Sequence, residues 1–224
     1  QPIDMQRQSC SYPYGSKHPE YYAHFLKTFI PKAHGLGKKV RVSIVGTTPN
    51  EYALLTRMLV SVHCDEIEVN AGCPNLWKKG KQKEIPSFNP ELLKKILNAV
   101  LRESGPLRVD VKLSPFSNPA DLVRAGKTLA HIKGLSGVVV CNTFPNASSG
   151  ASDLVGLGGA PLRFITLGQV LQMRSLLPKR ITITAVGGVS LQSHINEYRR
   201  AGAYDVQIGS FYISHGPSVF SRLQ

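Results

Sequence analysis

Five places in this sequence set hydrogen-bonding, ionisable or unusually permissive residues where an apolar run gives way to a polar one. Asn70-Ala71-Gly72-Cys73-Pro74-Asn75 offers two amides and a thiol. Lys112 puts an ammonium inside the apolar run Val109, Val111, Leu113, where it is costly unless it faces an acceptor or an anion. Cys141-Asn142-Thr143 again ends an apolar run in two hydrogen-bonding side chains, and Gly187-Gly188 and Gly209-Ser210 end the last two. A thiol with an ordinary pKa near 8.5 can act as a general base where polar surroundings favour the thiolate. Glycines let backbone N–H groups close around a phosphate. Taken singly, each stretch has a plain structural alternative: a buried thiol, loop-stabilising asparagines, an edge lysine, turn glycines. Five in succession point to one composite site.

The elements that must position these residues follow from patterning. Short β-branched runs alternate with longer segments of helical period, the pattern of repeated βα units and a parallel sheet. The strands expected are Val40 to Val45, Ile67 to Asn70, Leu107 to Leu113, Val138 to Cys141, Ile181 to Val186 and Val206 to Ile208. They read as continuous apolar runs more than as strict alternations, which suits strands covered on both faces. Thr48-Pro49-Asn50-Glu51, Asn89-Pro90-Glu91 and Asn118-Pro119-Ala120-Asp121 each set a capping side chain before a proline, with an acid in the first turn; these are helix starts. No Gly-x-Gly-x-x-Gly turn follows an early strand, as an open dinucleotide-binding sheet would require. Gly156-Leu157-Gly158-Gly159 comes late, in a long polar segment, and matches that fingerprint weakly. In a barrel, polar residues after successive strands converge on one mouth. The expectation is therefore an α/β chain forming a (β/α)8 TIM barrel of which about six βα units are present, as one domain over residues 1–224. A flavin mononucleotide (FMN) suits the composite site, since it needs a phosphate nest, a cation near the pyrimidine edge of its ring, and an apolar cavity.

Composition narrows the partners. The 27 Lys and Arg against 14 Asp and Glu give a formal charge of +13, which attracts anions of any size. The basic residues are scattered apart from Lys78, Lys79, Lys81 and Lys83, so the pattern argues for a solvated loop and against a nucleic-acid stripe. No apolar run approaches the ~20 residues that cross a bilayer, so no membrane span is expected. The cysteines Cys10, Cys64, Cys73 and Cys141 form no Cys-x-x-Cys pair and have no histidine at zinc-ligand spacing. Neither a disulfide framework nor a metal site is indicated, and a reducing cytoplasm fits.

Read in order, Glu68-Val69-Asn70-Ala71-Gly72-Cys73-Pro74-Asn75, Val111-Lys112-Leu113, Cys141-Asn142-Thr143, Gly158-Gly159-Ala160-Pro161-Leu162, Val186-Gly187-Gly188-Val189 and Gln207-Ile208-Gly209-Ser210 resemble the motif series of dihydroorotate dehydrogenases, from about Tyr12 onward. A cysteine at the base position is similar to the soluble class 1 enzymes. The resemblance implies oxidation of dihydroorotate to orotate in pyrimidine synthesis, with reduction of bound FMN, in a cytoplasmic homodimer. By position it implies Cys73 as catalytic base and Asn70, Asn75, Asn142 and Thr143 as substrate-binding residues. It further implies Lys112 and Asn142 at the flavin, with Gly159, Gly187, Gly188, Gly209 and Ser210 as the phosphate cradle.

The sequence departs from that pattern at Gln8 to Gly15, where Gln8, Ser11 and Tyr14 replace an Asn, a Gly and an Asn of the family's opening segment. Family members also carry two further strands before this point, with a second flavin-contacting lysine, and a final helix. The expectation is thus a chain truncated at both ends. Two other readings stay open. The chain is also similar to the tRNA-dihydrouridine synthases, which share an Asn-x-x-Cys-Pro turn and which the +13 charge favours. The other is a non-catalytic barrel relative altered at Gln8 to Gly15.

Overall fold

Three capping side chains fix where helices begin. Thr48 Oγ1 accepts from the Glu51 N–H at 3.2 Å, Asn89 Oδ1 from the Leu92 N–H at 3.0 Å, and Asn118 Oδ1 from the Ala120 N–H at 3.0 Å. Each is followed by proline at the first helical position, where no N–H is needed. The computed structural model describes residues 3–7, 19–74, 77–78, 81–148 and 154–223. In chain order these form β1 (Ile3–Arg7), α1 (Pro19–Gly35), β2 (Arg41–Ile44), α2 (Pro49–Ser61), β3 (Glu66–Asn70), and the short strands β4 (Trp77–Lys78) and β5 (Lys81–Gln82). Next come α3 (Pro90–Glu103), β6 (Arg108–Lys112), α4 (Pro119–Ala130), β7 (Gly137–Val140), β8 (Phe144–Ser148) and β9 (Leu154–Gly159). The chain continues through α5 (Arg163–Leu176), β10 (Thr182–Val186), α6 (Gln192–Arg200), β11 (Asp205–Gln207), α7 (Ser210–His215) and α8 (Val219–Arg222).

The main sheet has six strands in the order β11-β10-β7-β6-β3-β2, every neighbouring pair parallel. This order runs steadily along the chain, as in a barrel, and does not reverse as a doubly wound sheet does. The sheet is strongly curled. Gln207 on β11 donates from Nε2 to Glu68 Oε2 on β3 at 2.6 Å, although four strand spacings separate them in the sheet. Laid flat, those spacings would amount to about 19 Å, more than two side chains can bridge. The result is an incomplete (β/α) barrel with β2 and β11 as its edges.

All six expected strands are present; β7, Gly-Val-Val-Val and buried throughout, is a continuous apolar run as expected, but two central strands differ from that expectation. β3 reads Glu-Ile-Glu-Val-Asn and β6 reads Arg-Val-Asp-Val-Lys, strict alternations. The apolar members Ile67, Val69, Val109 and Val111 are fully buried, in one cluster with Leu93, Ile96 and Leu97 of α3 and Leu122 and Leu129 of α4. The polar members face the barrel interior. There Arg41 Nη2 lies 2.6 Å from Glu66 Oε2 and 3.2 Å from Asp110 Oδ2, and Arg108 Nη2 lies 3.1 Å from Asp110 Oδ1. Burial pushes the Asp110 carboxyl above its ordinary range, and the two guanidiniums offset this only in part.

A second sheet, antiparallel, has the order β1-β9-β8. The glycine run Gly156 to Gly159 therefore lies in a strand and not in a dinucleotide-binding turn. A Cβ on Gly156 would fall 2.3 Å from Thr143 Oγ1 and 2.9 Å from its Cβ, so the close approach of β9 to the residue that leads into β8 favours glycine there. The Lys78 and Lys81 backbones pair in the small β4–β5 hairpin. The altered segment Gln8 to Gly15 lies outside the described residues.

Leu93 has no exposed surface, and Asn89 caps the helix that carries it. Leu93→Ala should lower unfolding stability by about 2–5 kcal/mol and Asn89→Ala by about 1 kcal/mol. Urea denaturation of the two variants checks both values, and equal losses would contradict this account of α3.

Candidate functional site

The floor of the barrel mouth is a polar knot built from four strands. Lys112, the last residue of β6, sits 3.3 Å from Glu68 Oε1 and donates to Gln207 Oε1 at 3.1 Å. Glu68 also accepts from the Ser43 hydroxyl at 3.0 Å and from the Gln207 amide at 2.6 Å. The acceptor demanded by an ammonium in an apolar run is thus Glu68, two residues before Asn70 and on the same strand face. Burial by itself would raise the Glu68 pKa. The Lys112 charge and the hydrogen bonds from Gln207 and Ser43 outweigh it, and the carboxyl titrates below its usual range.

Above the floor, the ends of β3 and β7 are tied together. Asn142 Nδ2 donates to Asn70 Oδ1 at 2.9 Å, and the Gly72 N–H donates to the same oxygen at 3.2 Å. Asn142 Oδ1 accepts the Thr143 N–H at 2.7 Å. Tyr52 donates to the Asn70 carbonyl at 2.8 Å, and burial foremost pushes its own phenol up to about 12. The loop carrying the thiol is held against the next strand. Ala71 N–H donates to the Lys112 carbonyl at 2.9 Å, and Ser87 Oγ bridges the Ala71 carbonyl and the Ser114 N–H at 2.8 and 2.9 Å. A Cβ on Gly72 would lie 2.3 Å from the Ser114 nitrogen and 2.4 Å from the Leu113 carbonyl carbon. Only glycine lets this loop lie so close.

The thiols differ in setting. Cys141 is buried against Thr166 Oγ1 at 3.3 Å, and burial raises it to about 11; Cys64 is likewise raised to about 11, again chiefly by burial. Both are poor proton acceptors at neutral pH. Cys73 is half-buried, in the loop after β3.

A cavity of about 700 Å³ opens over this floor, within the usual range for small-molecule sites. Its walls include Lys112, Asn142, Thr143, Gly159, Gly187, Gly188, Gly209 and Ser210, so the whole set expected at a flavin and two of the residues expected at a substrate converge there. Asn70 and Cys73 are not part of the wall; Asn70 reaches it through Asn142, and Asn75 lies outside the described residues. Gly188 has φ 63°, and a Cβ on it would sit 3.0 Å from the Gly159 carbonyl oxygen. The turn is thus tight enough to bring bare backbone to the cavity. Tyr198 fixes the adjacent Gly187 by donating to its carbonyl at 2.6 Å. Among the described residues, three cationic or ionisable basic side chains, Lys112, His215 and Arg222, border the cavity and no carboxylate does. Sequence reasoning missed Glu68, Gln207 and Ser43 in the floor and His215 and Arg222 in the wall. The alternation in β3 and β6 was the available signal for Glu68, and Gln207 stands at the head of the motif Gln207-Ile208-Gly209-Ser210 without a role read from it; nothing local marked Ser43, His215 or Arg222. Among the described residues no cluster of metal-ligating side chains occurs, and no described helix is long and apolar enough to cross a membrane.

The lowered Glu68 pKa has a definite sign for stability. A carboxyl whose folded pKa lies below its unfolded value contributes stability in full above the unfolded value, about 4.3 for glutamate. That contribution is lost as pH falls through the folded value. Glu68→Gln should therefore destabilise the protein most near neutral pH and progressively less towards about pH 3. Denaturation midpoints of parent and variant across that interval check this, and a pH-independent gap would contradict it.

The sequence matches the family described as dihydroorotate dehydrogenase over residues 16–224. The dihydroorotate dehydrogenase (quinone) of Novosphingobium aromaticivorans is 30% identical over 202 residues, covering 85% of this chain and 56% of the relative. The catalytic subunit of dihydroorotate dehydrogenase B (NAD(+)) from Pyrococcus abyssi is 31% identical over 192 residues, covering 82% of this chain and 61% of the relative. The corresponding subunit from Thermoplasma acidophilum is 27% identical over 195 residues, 84% of this chain and 61% of that one. The chain therefore spans less than two thirds of the length of these relatives, and both quinone-named and NAD-named proteins are among them. On a match that runs through all the strands of the curled sheet, the chain belongs to the dihydroorotate dehydrogenase family.

Proposed function

We propose that this chain is an FMN-binding barrel domain, residues 1–224, of an enzyme that oxidises dihydroorotate to orotate in pyrimidine biosynthesis. The observation that carries the reading is the convergence on one cavity, bordered among the described residues by basic groups and no carboxylate, of Lys112, Asn142 and glycines from several strand ends. The residues present fit FMN. Gly187, Gly188, Gly209 and Ser210 offer backbone and hydroxyl donors to its phosphate, with Gly159 lying against Gly188, and Lys112 and Asn142 offer donors to its ring. Bound there, the flavin supplies the acceptor for hydride.

The chain's own groups handle the rest. Cys73 takes the proton from a ring carbon of dihydroorotate while hydride leaves the adjacent carbon, so the substrate gives up two electrons and two hydrogens and a ring double bond forms. The amides of Asn70, Asn75 and Asn142 and the Thr143 hydroxyl orient the substrate's imide and carboxylate groups. The Asn142–Asn70 bond supports this reading, since it couples the cavity wall to the strand end that leads into Cys73. The resemblance further implies a homodimer acting in the cytoplasm on a small-molecule substrate.

An anaerobic absorbance spectrum of the purified protein, before and after dihydroorotate, tests the reading as a whole. The expected result is a bound flavin that bleaches on addition; a protein lacking flavin, or flavin untouched by dihydroorotate, would overturn it. Cys73→Ala should retain FMN and slow that bleaching by about 10²-fold or more. Stopped-flow absorbance measures it, and bleaching at the parent rate would remove Cys73 from the mechanism.

A further inference from the structure

The chemistry above makes no use of the most buried ionised side chain at the cavity floor. Glu68 is 3% exposed. A carboxylate so placed is unfavourable unless it is paired and hydrogen-bonded, and Glu68 is satisfied from three strands by Ser43, Lys112 and Gln207. Its position is that of a partition. Below the main cavity lies a second of about 440 Å³, bordered by Glu68, Gln207, Ser43 and Arg41 among others. Gln207 borders both cavities, Lys112 only the upper and Glu68 only the lower. Lys112 thus forms the upper face of the partition and Glu68 the lower.

Two physical consequences follow. The Lys112 ammonium is held from two sides, by Glu68 at 3.3 Å and by Gln207 at 3.1 Å, so the direction left to it is upward into the cavity. Its charge is also offset, because in a medium less polarisable than water a carboxylate at that distance cancels much of the field the ammonium would project. We infer that Glu68 is a positioning residue that aims Lys112 at the cavity and offsets its charge, thereby setting how strongly the site favours reduced over oxidised flavin. This rests on the reading of the cavity as an FMN site. Reduction adds negative charge to the flavin ring, so an uncompensated ammonium below it stabilises the reduced form, and the Glu68 carboxylate restrains that preference.

The test is a spectroelectrochemical titration of FMN bound to the full chain, in the parent and in Glu68→Gln, Lys112→Met and the double variant. Glu68→Gln should move the midpoint to more positive potential, shifting the ratio of reduced to oxidised flavin affinity by about tenfold towards the reduced form. Lys112→Met should move it the other way. In the Lys112→Met background the buried carboxyl has lost its cation and takes up a proton, so adding Glu68→Gln should change little. Glu68→Asp, which keeps the charge but retracts it from Lys112, should fall between parent and Glu68→Gln and carries the test if Glu68→Gln does not fold. A midpoint unchanged in both Glu68 variants, with FMN bound stoichiometrically, would overturn the inference; so would a Glu68→Gln shift of the same size without Lys112. Failure of the parent to bind FMN would instead overturn the reading of the cavity, and this inference with it.

Discussion

Charged groups placed inside a curled sheet must find their partners across it, and here the Glu68 carboxylate is where those partners meet. It gathers a hydroxyl from β2, an ammonium from β6 and an amide from β11, which are the two edges and an interior strand of the same sheet. β2 and β6 flank β3, so it is the Gln207 bond that requires the curl. Curvature in turn puts the ends of β6, β7, β10 and β11 around a single mouth. A flat sheet of the same strands would keep Glu68 beside Lys112 and Ser43 on the flanking strands but would leave Gln207 about 19 Å away.

Around that floor, the site is shaped largely by backbone. Gly72 lies against the Leu113–Ser114 peptide, Gly156 against Thr143, and Gly188 against the Gly159 carbonyl, each at a separation that a Cβ would violate. These contacts draw loops from different strands together without spending side-chain volume. What remains is a cavity whose polar groups are few and fixed. Asn142 is held by Asn70, Thr143 by Asn142, and Lys112 by Glu68 and Gln207. Groups already locked by neighbours lose little freedom when a ligand arrives, the condition for precise orientation of substrate and cofactor.

The interior charges also sort into two layers with opposite consequences. In the lower layer, burial of Asp110 wins over its two guanidiniums and the carboxyl is raised. In the upper layer, Lys112, Gln207 and Ser43 win over burial and Glu68 is lowered. The difference lies in neighbours as much as in depth, since Asp110 also feels the nearby Glu66 carboxylate.

Much of this was legible in the sequence. Helix starts were readable because a capping side chain and a proline act within one turn, and the six parallel strands were readable from β-branched runs between helices. The cavity-lining set Lys112, Asn142, Thr143, Gly159, Gly187, Gly188, Gly209 and Ser210 was identified from strand ends and motif order, because in a barrel every strand end faces the same mouth. The tertiary structure alone decided which groups meet. That Lys112 answers to Glu68, that Gln207 closes the floor from 139 residues away, and that β9 joins β1 and β8 in a second sheet depend on sheet curvature. Curvature is a collective outcome of strand twist, pairing and interior packing, and no local window of sequence contains it.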